Sequence, residues 1–171
     1  LIMLRADGAT LNTHFRTFNK PMGVATDRNR LAIGGQFQIW QLWNVPATTA
    51  RLHPPGKHDA CFLPRQTHIT GDIDIHEMAY GEDELWFVNT RFSCLCTVDA
   101  AHSFIPRWRP PFVTAYEFSD RCHLNGLGMR EGKPRYVTAL GETDQRAGWR
   151  ANKANGGILM DVQSNEILCR G

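Results

Sequence analysis

A chain of 171 residues with 42% apolar and 21% charged side chains has the composition of an ordinary globular domain, long enough to bury a core. Its 19 Lys and Arg against 17 Asp and Glu leave a formal charge of +2, too weak a field to draw the chain to nucleic acid or a membrane surface. No apolar run reaches the length of a spanning helix, so the partners to expect are a small molecule or a peptide.

Taken in chain order, the elements are short strands. Leu1–Leu4, the turn Asp7-Gly8 and Leu11–Phe18 read as two strands of a hairpin. Met22–Ile33 is an apolar strand, a polar turn and a second strand; Phe37–Trp43 is a third, and a fourth lies around Cys61–Leu63. The Pro-rich connection from Asn44 to Thr70, with His53, His58 and His68, has no period that assigns it. The pattern returns as His76–Val88, Ser93–Val98 and Phe104–Trp108, and again as Asn125–Val137, Gly157–Val162 and Glu166–Cys169. Ala25, Ala79 and Gly128 mark the same point of each unit, 54 and 49 residues apart.

Four short strands in each unit of about 50 residues are the blade of a β-propeller, whose sheets stand radially around a channel. The fold expected is all-β: a partial β-propeller of three four-stranded blades at 19–70, 71–119 and 120–171, preceded by a half blade at 1–18, in one domain with almost no helix. Closed propellers have about 4–8 blades, and both ends of the chain cut through a sheet, so a fragment of a larger propeller is expected.

The five cysteines form an odd set without framework spacing. Cys94 and Cys96, two apart in a strand, point to one face as small buried hydrophobes rather than as a disulfide or zinc pair. Reduced thiols suit a cytoplasmic protein.

Laying the repeats over one another exposes the chemistry. Met22, His76 and Asn125 are equivalent, and two residues earlier stand Lys20, Asp74 and His123. Alternation would put Asp72, Asp74 and His76 on one strand face and His123 with Asn125 on another, all at the channel mouth. The second strand of each blade returns there, adding Asn89, Arg91, Glu142 and Asp144, and the polar loop that follows adds Trp149, Arg150 and Lys153. A concave opening with convergent polar groups is the default ligand site. Blander roles compete: Asp72 and Asp74 as ties between blades, Asn125 as part of a tight bend before Gly126, Trp40, Trp43, Trp86 and Trp108 as inter-blade core, and Arg107–Arg109 as a solvated outer face. Trp149, among Arg, Asn, Lys and Gly, is placed outside the core.

The runs His58–Arg65, Gly71–His76, Leu85–Cys96, Arg107–Phe112, Asp120–Leu127 and Tyr136–Asp144 resemble an uncharacterised bacterial family, a conserved hypothetical domain of unknown function. The members of that family are longer than this chain, and the resemblance brings no activity. More distantly, His123–Met129 with Gly132–Val137 is similar to the Asn-Gly strand and hairpin of gluconolactonase and regucalcin-like propellers, where the Asn ligates a catalytic divalent cation. That likeness implies Asn125 as a metal ligand. The acidic ligands of that family come from blades with no assigned place in this chain, and His76 and His123, without counterparts in its mostly oxygen-donor site, would as further ligands shift preference from calcium toward a transition metal.

The function expected is small-ligand or divalent-metal binding at the channel mouth, extending to metal-assisted hydrolysis of a lactone or ester. Asp74 or Glu142 would be the base and Arg91 the holder of an anionic substrate, with Asp72, Asn89, Trp149 and Arg150 binding substrate. The alternative is a non-catalytic scaffold that binds a protein or peptide across the same face.

Overall fold

Fourteen β-strands make up nearly all the regular structure of the chain in the computed structural model, which describes residues 1–171. β1 (Ile2–Asp7) and β2 (Thr10–Phe15) form a hairpin closed by Gly8-Ala9, with Gly8 at φ 61°. Three four-stranded antiparallel sheets follow, each a meander in sequence order. The first is β3 (Gly23–Thr26), β4 (Arg30–Gly34), β5 (Gln38–Asn44) and β6 (Phe62–Ile69). The second is β7 (Ile75–Tyr80), β8 (Leu85–Asn89), β9 (Cys94–Thr97) and β10 (Ile105–Trp108). The third is β11 (Leu124–Arg130), β12 (Lys133–Ala139), β13 (Ile158–Asp161) and β14 (Ile167–Arg170). Helix is confined to α1 (Pro46–Thr49) and a 3-10 turn at Gly148–Asn152, so the chain is all-β, and no sheet closes on itself.

β6 is longer than its sequence suggests, running through His68 into the connection that periodicity left unassigned. Most of its residues are exposed on both faces, so no apolar alternation marks it. Pairing with β5 along its length, from Asn44↔Phe62 to Gln38↔Ile69, is what orders it. The Glu131-Gly132 turn between β11 and β12 has φ of 52° and 71°, the two left-handed residues of a type I′ hairpin.

The middle sheet is buried on both faces because its side chains alternate between two cores. Leu85, Phe87, Cys94 and Cys96 join Ala25, Ala32 and Ile39 of the first sheet, together with Ile75 and Met78. Val88 and Leu95 point the other way, to Leu124, Val137, Ala139, Ile158 and Met160 of the third sheet. β7 lies against β3 and β4 on one side and against β11 on the other, so the first strands of the three sheets are neighbours. The β1–β2 hairpin contributes little to either core, with Leu4, Leu11 and Phe15 exposed.

The junction of the first two sheets relies on two glycines paired across β3 and β4. A Cβ on Gly23 would lie 2.6 Å from Met78 Cγ, and one on Gly34 would lie 2.8 Å from both Ile75 Cγ2 and Met78 Sδ. Gly34→Ala is therefore expected to lower stability by about 1–3 kcal/mol through overpacking. Gly157→Ala, whose Cβ meets nothing within 4 Å, should leave the urea midpoint nearly unchanged. Equal midpoints for the two variants would refute this packing.

Candidate functional site

The first strand of each sheet is entered through a residue forced into the left-handed region: Lys20 (φ 47°), Asp74 (φ 58°) and His123 (φ 51°). These are the three positions that the repeat overlay makes equivalent. The correspondence extends three residues upstream, where Gly71 (φ 75°) and Asp120 (φ 47°) are also left-handed. It extends downstream too, since pairing slips between Ile75 and Met78 in β7 and between Leu124 and Leu127 in β11. A left-handed residue followed by a bulge re-aims side chains that an ordinary strand would alternate.

That local geometry corrects the expected grouping of Asp72, Asp74 and His76 on one strand face, because β7 begins only at Ile75. Asp72 Oδ2 accepts a hydrogen bond from Gln36 Nε2 at 3.3 Å, and Asp74 Oδ1 lies 3.3 Å from Lys20 Nζ, so both carboxylates tie the second sheet to the first. The other oxygen of Asp72 is buried without a partner.

His76 turns the opposite way and meets His123 edge to face, with ring centroids 4.8 Å apart at 78°. Each ring is held through Nδ1. Thr90 Oγ1 donates to Leu124 O at 2.6 Å, so its lone pair is what faces His76 Nδ1 at 2.9 Å, and Asp74 O is 3.1 Å from the same nitrogen. Two acceptors around His76 Nδ1 place the proton there. The Asp120 carboxylate, with Oδ2 at 3.0 Å from His123 Nδ1, does the same for the second ring. Both imidazoles thus present Nε2 as the basic nitrogen, and neither Nε2 is bonded within the chain or sealed from solvent.

Trp149 completes the assembly. Its Nε1–H donates to Asp120 Oδ2 at 3.1 Å, and its indole lies 4.4 Å from the His123 ring, centroid to centroid. Arg150 and Lys153 are 4.3 and 6.0 Å from the same indole. At 5% exposure Trp149 belongs to the interior, which corrects its placement outside the core. The one-turn 3-10 segment folds the indole inward while its Arg and Lys neighbours stay in water, a reversal invisible in local composition.

A polar clamp holds the two loops that carry these groups. Arg121 pairs with Asp144 and with Glu117, and Thr114 donates to Asp144 through its backbone N at 2.8 Å and its hydroxyl at 2.6 Å. Ser119 O accepts from Ala147 N at 3.0 Å, and Arg91 O accepts from the backbone N–H groups of Ser119 and Asp120 at 3.0 and 2.9 Å. The Thr114 hydrogen bonds, with Arg121 behind them, hold the Asp144 carboxyl down at about 2, against an ordinary 3.8. A depressed carboxyl contributes its stability fully above the unfolded value and loses it as the pH falls through the folded one. The indole NH resonance of Trp149 is therefore expected to shift between about pH 4 and pH 2 as the clamp opens. In Asp144→Asn the shifted position should appear already at neutral pH, and a resonance unmoved by that variant would show that the clamp does not position Trp149.

The remaining expected residues are distributed around this centre. Asn89 is fully buried, its Oδ1 accepting from Phe92 N at 3.1 Å. Arg91 lies 5.4 Å from the Phe118 ring, with its Nε buried and unpartnered. Glu142 pairs with Arg170 beside a cleft lined by Gly141, Trp149 and Asn152. Asn125 lines a separate cleft with Thr138, Gly157 and Cys169. The five cysteines are unpaired; burial pushes the Cys96 thiol far up and Cys122 up to about 12, so neither supplies a thiolate nucleophile.

No three His, Cys, Asp or Glu side chains gather around one point that could hold a metal ion. Two imidazoles are fewer than the three protein ligands of a catalytic zinc site, and Asp120 is already engaged by His123 and Trp149. Sequence reasoning missed Asp120 and Thr90; the signal for Asp120 was its place three residues before His123, where the second repeat has the turn residue Gly71.

No helix is long and apolar enough to cross a membrane. No curated protein and no solved structure matches the chain. The family profile of a domain of unknown function, DUF4915, matches residues 1–171. Its span is the whole of the hairpin and the three sheets that carry the paired histidines, and the chain belongs to that family.

Proposed function

We propose that the three four-stranded sheets are blades of a β-propeller, and that a polar small-molecule site at the axial end is centred on His76 and His123. Support for the blades comes from the sequence-order meanders, the adjacency of β3, β7 and β11, and the left-handed residue that opens each inner strand. One observation carries the site: two imidazoles from neighbouring sheets in edge-to-face contact, each with Nδ1–H committed and Nε2 basic.

The reaction this arrangement suits is hydrolysis. His123 Nε2 takes a proton from water as the oxygen adds to an ester or lactone carbonyl, and the same proton then goes to the departing alkoxide. Asp120 holds the tautomer and stabilises the imidazolium in between, and the charged guanidinium of Arg91, beside Phe118, is the group proposed to hold an anionic substrate. The choice of a lactone or ester rests on the short likeness of His123–Met129 and Gly132–Val137 to lactonase propellers. Five free thiols support a reducing, cytoplasmic setting.

The test uses 4-nitrophenyl acetate and δ-valerolactone as probes with the 171-residue chain. Saturable hydrolysis, unchanged by a chelator and lost in His123→Ala, is expected; a chelator-sensitive rate would reinstate a metal at the histidine pair. A rate equal in wild type and variant would refute the base. That outcome would favour a non-catalytic peptide scaffold, the reading supported by Tyr116 and Phe118, which are 46% and 51% exposed on the loop that leads to Asp120.

A further inference from the structure

A second site lies away from the histidines, where the β7–β8 and β11–β12 turns of the second and third sheets meet. The cleft there measures about 420 Å³, within the range of small-ligand sites. Trp86, Leu95 and Trp108 form one wall, and Lys133, Pro134 and Val162 form the other.

Its shape is held from both ends. A Cβ on Gly81 would lie 2.6 Å from Gly132 O, and one on Gly132 would lie 2.6 Å from Glu82 Cγ, so the two turns are in contact. Across the cleft, Trp108 Nε1 donates to Asn165 Oδ1 at 2.9 Å, fixing that indole against the third sheet. Arg107 already places a guanidinium 5.1 Å from the Trp86 ring centroid while pairing with Glu84 at 2.5 Å, so this wall holds a cation within the chain itself. The two remaining carboxylates, Glu82 and Asp83, make no ion pair. The lining is thus acidic: Glu82, Asp83 and Glu84 against Arg107 and Lys133.

We propose that this cleft binds an organic cation, an ammonium head on a small apolar body. The indole faces attract the cation, the unpaired Glu82 and Asp83 carboxylates neutralise it, and Pro134 and Val162 take the apolar part. Lys133 is the internal competitor, since its ammonium stands at the same cleft.

The proposal is tested by titrating the whole chain with tetramethylammonium chloride and with N-acetyl-lysine N-methylamide, following the indole NH resonances. Sodium chloride at matched ionic strength is the control, and Trp149 serves as an internal reference. Saturable shifts of Trp86 and Trp108 in the millimolar range, with Trp149 unmoved, are expected. The tighter of the two probes assigns the source as a free quaternary amine or a peptide side chain. Binding should weaken at least tenfold in the surface variant Glu82→Gln/Asp83→Asn and tighten in Lys133→Met. Trp108→Leu should also weaken it, but the surface pair decides if that variant fails to fold. Shifts that do not saturate, that sodium reproduces, or that persist unchanged in Glu82→Gln/Asp83→Asn would overturn the proposal. None of these outcomes depends on the histidine site.

Discussion

Replacing His123 by alanine is expected to reduce hydrolysis of 4-nitrophenyl acetate by about 10²–10⁴-fold, the contribution of a positioned general base. Asp120→Asn should produce a loss of the same order with little change in KM, because an amide can offer His123 Nδ1 its NH2 group as readily as its oxygen and the tautomer is no longer held. His76→Ala tests the partner ring. It removes the edge-to-face contact at 4.8 Å but leaves the Asp120–His123 pair at 3.0 Å, so a smaller effect on kcat is expected than from His123→Ala. A variant ranking in which Asp74→Asn or Glu142→Gln matched His123→Ala would move the base to those carboxylates. Their present partners, Lys20 for Asp74 and Arg170 for Glu142, argue for ties to neighbouring strands instead.

The largest stability effect outside the strands is expected from Trp149→Ala, at about 3–5 kcal/mol, the usual cost of truncating a buried indole. Trp149 is 5% exposed and its N–H is spent on Asp120, whereas Trp86, within β8, is only partly buried and one wall of an open cleft. Trp86→Ala should cost less by at least about 1 kcal/mol, because less apolar area leaves water there on folding. Urea midpoints of the two variants check the order, and equal midpoints would refute it. Trp149→Phe separates packing from polarity: it keeps most of the buried area, loses one hydrogen bond worth about 1 kcal/mol, and should loosen Asp120 enough to lower turnover.

Strand order and the repeat were legible in the chain because a buried β-strand writes its period into apolar side chains. Ala25, Ala79 and Gly128 recur, and the alternation of Leu85, Trp86, Phe87 and Val88 assigns one residue set to each flanking core. β6 escaped for the converse reason, since a strand with both faces in water carries no such record. The equivalence of Lys20, Asp74 and His123 was also legible, and the shared left-handed backbone shows that it is structural as well as textual.

What the sequence by itself determined is therefore an all-β chain of repeated four-stranded units, with His76 and His123 as residues from adjacent repeats. Only the tertiary structure decided how they are used. Left-handed turns and bulges sent Asp72 and Asp74 toward the first sheet and His76 toward His123. Asp120 and Trp149, 29 residues apart, met because Arg121 and Asp144 clamp their loops together. No periodicity encodes such a contact: its free energy comes from long-range hydrogen bonds that exist only once the sheets have docked.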